Sequence, residues 1–165
     1  MLPTELSHVL TPADLLIIQE AREWTNSSFK AECVLAERLA LPTVWVPPHP
    51  GVPENLVDGV DTTWGLVELK TTCSPTISLS NREWLQDTRK WVQTLVVYRW
   101  VDRTSNSEPL GLGDTLNLKL SLIMRYADLF NDISVLHDSK YSKGTYAWLE
   151  TLERFNLMED AHEFT

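Results

Sequence analysis

Two carboxylates and one amine, Asp58, Glu68 and Lys70, stand close together in the stretch VDGVDTTWGLVELKTT, residues 57–72. Side chains alternate along a β-strand, so Glu68 and Lys70 are expected on one face of the run LVELK. Hard cations such as Mg²⁺ bind a few carboxylates together with water. The trio is therefore a candidate metal site, and the alternative is a solvated surface.

Two strand-like runs separated by residues 62–64 predict a β-hairpin with a three-residue loop. This loop length pairs Asp58 with Glu68, which places their Cβ atoms about 5 Å apart on one face. Like charges opposite each other destabilise a sheet, so a compensating cation is needed. Lys70 supplies one positive charge and a divalent metal would supply more. An exposed hairpin face, on which water screens the two acids, is an equally weighted alternative.

The first half of the chain predicts two helices. Thr11 as N-cap and Pro12 as the first helical residue predict a helix over residues 12–25. The stretch TNSSFKAECVLAERLAL predicts a second helix that ends near Pro42. A short strand is expected at 43–46, followed by the proline-rich loop PPHPGVPE.

After the hairpin, we expect a short strand, a helix over 81–91 with Ser80 as N-cap, and a strand over 93–101. The remainder from Leu116 onwards suggests helical segments around LKLSLIMRYADLF and TYAWLETLERFNL. This order predicts an α/β or α+β fold with a small mixed central sheet. The length of 165 residues fits one domain, residues 1–165.

The net charge of −9 argues against non-specific nucleic-acid binding by the whole surface. Residues 69–103 are the exception, with 6 basic and 3 acidic residues. Interleaved basic and aromatic side chains there could contact a nucleic-acid backbone and stack on bases. The alternative interpretation, to which we give equal weight, is that they form the ordinary polar faces of a helix and a strand. These side chains are Arg82, Trp84, Arg89, Lys90, Trp91, Tyr98, Arg99, Trp100 and Arg103.

Several other classes of protein and site are not indicated. The chain has no apolar run of 18 residues and no signal-peptide pattern, so we expect no membrane association. Cys33 and Cys73 show no CxxC spacing, which favours reduced thiols and a cytoplasmic protein. The four histidines lack zinc-ligand spacing, and Gly111 and Gly113 indicate a turn, so no cofactor-binding loop is predicted.

The hairpin resembles the active-site motif of the PD-(D/E)xK nuclease superfamily, which has the restriction-endonuclease-like fold. The motif stands here as Asp58, nine intervening residues, then Glu68-Leu69-Lys70. The downstream run is similar to nuclease-like domains found beside restriction and defence proteins, and the resemblance covers roughly residues 28–103. The proline that usually precedes the Asp is replaced by Val57.

The resemblance implies a mixed central sheet flanked by helices, with extra C-terminal helices. It implies that Asp58 and Glu68 hold Mg²⁺ or Mn²⁺ and that the Leu69 carbonyl completes the coordination. The family often adds a Glu from the preceding helix. Glu32 best matches that place, and Glu37 is the competitor.

The activity implied is metal-dependent hydrolysis of phosphodiester bonds, with DNA the favoured substrate and Lys70 orienting or deprotonating water. Arg82, Arg89 and Lys90 are the expected nucleic-acid contacts, and dimeric relatives suggest a homodimer. Two alternatives stay open. One is a catalytically inactive nuclease-fold domain that binds nucleic acid or protein, and the other is a small acidic interaction protein with an accidental motif.

Overall fold

The computed structural model describes residues 2–41 and 57–158, which form a mixed α/β fold built around two sheets. The main sheet has five strands in the order β1-β6-β5-β3-β2. Strands β3 and β5 pair in parallel, and the other neighbours in this sheet are antiparallel. The strands are β1 (Glu5–Val9), β2 (Gly59–Asp61), β3 (Gly65–Thr72), β5 (Thr94–Trp100) and β6 (Thr115–Arg125).

A second, antiparallel sheet has three strands in the order β4-β8-β7. These strands are β4 (Thr76–Leu79), β7 (His137–Asp138) and β8 (Thr145–Trp148). The helices are α1 (Pro12–Thr25), α2 (Ser28–Ala40), α3 (Arg82–Thr88) and α4 (Leu149–Leu152). Short 3₁₀ turns cover Tyr126–Phe130 and Glu153–Phe155. No helix among the described residues has the length and apolar character needed to cross a membrane.

Helices α1 and α2 begin where local hydrogen-bonding residues predict. The Thr11 hydroxyl accepts a hydrogen bond from the Asp14 N–H (3.3 Å), and the Asp14 carboxylate accepts one from the Thr11 N–H (2.8 Å). Ser27 caps α2 by accepting from the Lys30 N–H at 3.3 Å. The predicted first helix is confirmed, and the second ends at Ala40, next to the predicted end.

Strand β3 separates two hydrophobic cores. Val67 and Leu69 are buried against residues of α1 and α2. Their neighbours Glu68 and Lys70 point to the opposite face, because side chains alternate and because the parallel register aligns them with Leu95 and Val97. Those two residues belong to the core shared with the second sheet. Glu68 is thereby held between the buried Val67 and Leu69, and Lys70 follows the buried Leu69.

The helices predicted for the C-terminal third are largely wrong, because only the two short 3₁₀ turns and α4 are helical among its described residues. LKLSLIMR lies in strand β6, which pairs with both β1 and β5, and only Leu149–Leu152 of the second segment forms an α-helix. Leu116, Leu118, Leu120 and Leu122 are all buried at a period of two, which is the strand pattern. Strand β1, at the edge of the sheet, was not predicted at all.

One smaller expectation, the N-cap of α3, needs correction, and another concerns residues outside the described ranges. Asn81, not Ser80, caps α3: the Asn81 side chain accepts from the Trp84 N–H at 2.9 Å. The Ser80 carbonyl instead accepts from the Thr145 hydroxyl at 2.9 Å and links α3 to β8. The expected strand at 43–46 and the proline-rich loop lie outside the described residues.

Candidate functional site

The β2–β3 hairpin has the predicted register and loop. Gly59 pairs with Val67 and Asp61 with Gly65, and residues 62–64 form the loop. The Asp61 carboxylate accepts hydrogen bonds from the N–H groups of residues 63 and 64 at 2.8 and 3.0 Å. Asp61 therefore stabilises the turn, the role expected for an Asp at that position.

Asp58 and Glu68 meet at the end of this hairpin. The Asp58 N–H donates to the Val67 carbonyl at 2.9 Å, and the Asp58 carboxylate Oδ2 accepts from the Leu69 N–H at 2.7 Å. Burial, the charge of Asp58 and a hydrogen bond to Asp58 hold the pKa of Glu68 well above its usual value. The two carboxyl groups therefore act on each other directly, as the loop length predicted.

Lys70 completes the trio. Burial acts to lower the pKa of its amine, but the carboxylates of Glu68, Glu37 and Asp58 outweigh burial and raise that pKa. The amine is therefore a charged ammonium at neutral pH. The structure places the three predicted motif residues together, and adds a third acid.

That third acid is Glu37 of α2. Burial and the Asp58 carboxylate raise the pKa of Glu37 to about 8, against the opposing effect of Lys70. A carboxyl group with a pKa of about 8 is only partly ionised near neutral pH. Glu37 is the alternative to Glu32 in the sequence, and in the structure it shares one cleft with Asp58 and another with Lys70.

Glu32 lies elsewhere, so its expected position beside the motif is wrong. Its carboxylate is fully buried, forms an ion pair with Arg103, and accepts a hydrogen bond from the Leu110 N–H at 2.6 Å. Arg103 also donates to the Glu108 carbonyl at 2.8 Å. Glu32 and Glu37 are five positions apart, which turns them to different sides of α2. Glu32 thus anchors the loop after β5.

Two clefts flank Glu37 and give access to the cluster. One, of about 170 Å³, is lined by Asp58, Leu69 and Arg38. The other, of about 520 Å³, is lined by Lys70. Glu37 and Trp24 line both clefts, and the Trp24 side chain is 63% exposed. Asp58, Glu37 and Lys70 are therefore reached from solvent past an aromatic side chain, whereas Glu68 lines neither cleft.

The three predicted nucleic-acid contacts lie on or just after α3, where each has a local partner. Arg82 pairs with Asp138 at 2.8 Å, Arg89 lies 4.1 Å from the centroid of the Phe130 ring, and the Lys90 amine is 3.9 Å from the Asp87 carboxylate. Lys90 lines a third cleft beside the hairpin loop. None of the three lines the clefts at Asp58 or Lys70, whereas Arg38 and Lys30 do.

Two of the aromatic residues in the basic segment cannot stack on a ligand. Tyr98 and Trp100 are 0% and 6% exposed, and the Tyr98 hydroxyl donates to the Pro3 carbonyl at 2.7 Å. Trp100 packs against Phe29 of α2. Of the β5 residues only Arg99 is exposed, because Leu95 and Val97 on the same strand face are buried in the core shared with the second sheet.

Within residues 2–41 and 57–158, no group of three or more His, Cys, Asp or Glu side chains is already arranged to hold a metal ion. The cluster offers Asp58 and Glu68, and the Leu69 carbonyl points to the same strand edge as the Leu69 N–H that binds Asp58. Two carboxylates and a carbonyl, with water, are a donor set that Mg²⁺ accepts.

Comparison of the chain with protein-family models, with curated proteins and with solved structures gave no match. The nuclease resemblance therefore stays a prediction from the motif and its setting.

Proposed function

We propose that the protein is a metal-dependent nuclease that hydrolyses phosphodiester bonds, with DNA the favoured substrate. The observation that carries this proposal is the mutual contact of Asp58 and Glu68 beside the Lys70 ammonium. Two adjacent acids share a half-buried site in which one of them is driven towards its protonated form. Binding a cation there would replace the proton and relieve the repulsion.

The order of elements supports a restriction-endonuclease-like arrangement. A helix, α2, precedes the hairpin β2–β3, and the helix α3 then leads to β5, which pairs in parallel with β3. Glu37 on α2 fits the place of the additional helical acid better than Glu32 does, because its pKa responds to both Asp58 and Lys70.

Asp58, Glu68 and the Leu69 carbonyl are the groups that would hold Mg²⁺ or Mn²⁺, with Glu37 as a further carboxylate. A divalent cation held by these groups would supply polarisation of the scissile phosphate and a lowered pKa for a bound water. Asp58 is held in position by the Leu69 N–H, so its carboxylate is oriented before any ligand arrives.

Lys70 would act as a positive charge. Its raised pKa keeps the ammonium protonated at neutral pH, so it suits hydrogen bonding to water and stabilisation of charge that develops on phosphate. Proton abstraction from water by Lys70 is disfavoured while the acids around it are ionised.

Cleavage of labelled single- and double-stranded DNA with and without Mg²⁺ tests the proposal. Lys70→Ala should abolish Mg²⁺-dependent cleavage, and Lys119→Ala, which removes an exposed lysine of β6, should leave it unchanged. Far-UV circular dichroism of both variants shows whether they fold. Unchanged cleavage by a folded Lys70→Ala protein would exclude this mechanism.

A catalytically inactive nuclease-fold domain is the second candidate. It is favoured by the net charge of −9 and by the exposed Trp24 and Trp148 side chains, which suit the binding of a partner. Calorimetric titration with Mn²⁺ and Mg²⁺ separates the two candidates. Binding that Asp58→Asn removes supports the nuclease, and no binding by the folded wild-type chain supports the inactive domain.

A further inference from the structure

The outer face of the second sheet carries polar and aromatic side chains. Strand alternation sends Ile77, Leu79 and Ala147 into the core. Their neighbours turn outward, and the register places them side by side across three strands. The outward residues, here called the aromatic platform, are Thr76, Ser78, His137, Tyr146 and Trp148.

The rings of the platform contact one another. The centroids of His137 and Tyr146 are 5.2 Å apart with the ring planes at 27°, a stacked pair. Tyr146 and Trp148 meet edge to face at 6.2 Å and 77°. Trp148 is nevertheless 44% exposed. The rings are held by their neighbours and still present surface to solvent.

The platform is continuous with the candidate site. Thr76 and Ser78 line the 520 Å³ cleft that also contains Lys70. The exposed Trp24 and Lys30 line the same cleft. A chain-like ligand that leaves the acid and amine cluster through this cleft passes over the hydroxyl groups of β4 and reaches the rings of β8.

The loop that joins β7 to β8, the strands that carry His137 and Tyr146, adds positive charge. Lys140 and Lys143 are exposed there, on either side of Tyr141, which is 96% exposed. The acidic Asp138 at the end of β7 is already paired with Arg82 at 2.8 Å. The platform therefore combines basic and aromatic side chains although the whole chain has a net charge of −9.

We propose that the aromatic platform binds an unpaired nucleic-acid strand, which makes single-stranded nucleic acid, or a single-stranded segment of it, the substrate class of the adjoining site. The bases of a duplex already stack on one another, whereas unpaired bases can stack on aromatic side chains while lysines contact the phosphates. This inference rests on the proposed function for the nature of the ligand as nucleic acid.

Fluorescence anisotropy with the full chain in EDTA tests the platform without any cleavage. The probes are a labelled oligothymidylate of about 12 nucleotides, within the range that single-strand platforms cover, and a duplex of the same length. The single strand should bind more tightly than the duplex. Trp148→Ala should weaken single-strand binding by about 5- to 150-fold, the range for loss of one stacked base.

Two variants serve as controls for Trp148→Ala. Trp148→Phe should retain most of the affinity, because it keeps an aromatic ring. Val9→Ala, which removes exposed apolar surface from the edge strand β1 of the other sheet, should change affinity by less than about twofold, because surface substitutions away from a site have small effects. Lys140→Ala should lower the slope of log affinity against log salt by about 0.7, as for one lost phosphate contact to a single strand.

Three results would overturn the inference: duplex binding as tight as single-strand binding, unchanged affinity in folded Trp148→Ala, or equal losses in Trp148→Ala and Val9→Ala. Each can occur while Lys70→Ala still abolishes cleavage, in which case the nuclease proposal stands without the platform. Conversely, platform-dependent binding by a chain that never cleaves supports the inactive nucleic-acid-binding domain.

Discussion

Glu32 and Arg103 form an ion pair inside the fold, where their side chains are 0% and 11% exposed. Glu37, on the same helix, lines both clefts of the candidate site, together with Asp58 in one and with Lys70 in the other. Two acids that look equivalent in the sequence are thereby assigned to different tasks, one to stability and one to the candidate site.

Glu32→Gln should destabilise the protein by about 3–5 kcal/mol, because it leaves the Arg103 guanidinium buried without a counter-charge. Glu37→Gln should not lower the free energy of unfolding at neutral pH, and should alter metal binding and cleavage instead. Urea unfolding of both variants measures this difference. Equal destabilisation by the two substitutions would contradict the assignment.

Stability should fall as the pH rises through the range in which Glu37 ionises. The pKa of Glu37 is raised from 4.5 to about 8 in the folded state. The folded chain therefore binds this proton more tightly than the unfolded chain, and the resulting stabilisation is complete below pH 4.5 and is lost as the pH rises to about 8.

Glu37→Gln removes that titration. Thermal unfolding is measured in metal-free buffer between about pH 5 and pH 9. The midpoint temperature of the variant should rise relative to that of the wild type as the pH increases. Parallel pH profiles for the two proteins would show that Glu37 has an ordinary pKa. Addition of Mg²⁺ should raise the wild-type midpoint most at the alkaline end, where the acids are ionised and free to bind a cation.

Asp58→Asn should retain the fold and lose divalent-metal binding. An amide oxygen can still accept the hydrogen bond from the Leu69 N–H, which is 2.7 Å from Asp58 Oδ2. The lost negative charge removes one metal ligand and one of the causes that raise the pKa of Glu68. Calorimetry with Mn²⁺ measures the binding, and retained affinity would place the metal site elsewhere.

Gly65→Ala should destabilise the hairpin and so disturb the cluster. Gly65 has a φ of +76°, and a Cβ there would lie 2.1 Å from the Gln93 Oε1 atom that accepts the Leu66 N–H. Gly113→Ala is the matched control, because Gly113 has a φ of +85° and a Cβ there meets nothing within 4 Å. Both substitutions introduce backbone strain of about 1–3 kcal/mol, and Gly65→Ala adds the clash.

The free energies of unfolding of the two glycine variants give the comparison. A larger loss for Gly65→Ala, together with weaker Mn²⁺ binding than in Gly113→Ala, is the expected result. If the two losses are equal, the contact between Gly65 and Gln93 does not position the hairpin.

The sequence alone determined the local geometry on which the candidate site depends. A three-residue loop fixes which residues pair across a hairpin, so the sequence is enough to predict that Asp58, Glu68 and Lys70 lie close together. The capping of α1 by Thr11 and the period of two along β3 are also local, because they depend on hydrogen bonds and on side-chain direction within a few residues.

Tertiary structure decided everything that depends on contacts distant in the sequence. β6 pairs with β1 and β5 along its two edges, and no local pattern reveals those partners. The period of two along its leucines is a local strand signal that the helix prediction missed. Arg103, 71 residues beyond Glu32, removes that acid from the site and leaves Glu37. The aromatic platform likewise arises only when β4, β7 and β8 pair, since long-range pairing brings together side chains that no local spacing relates.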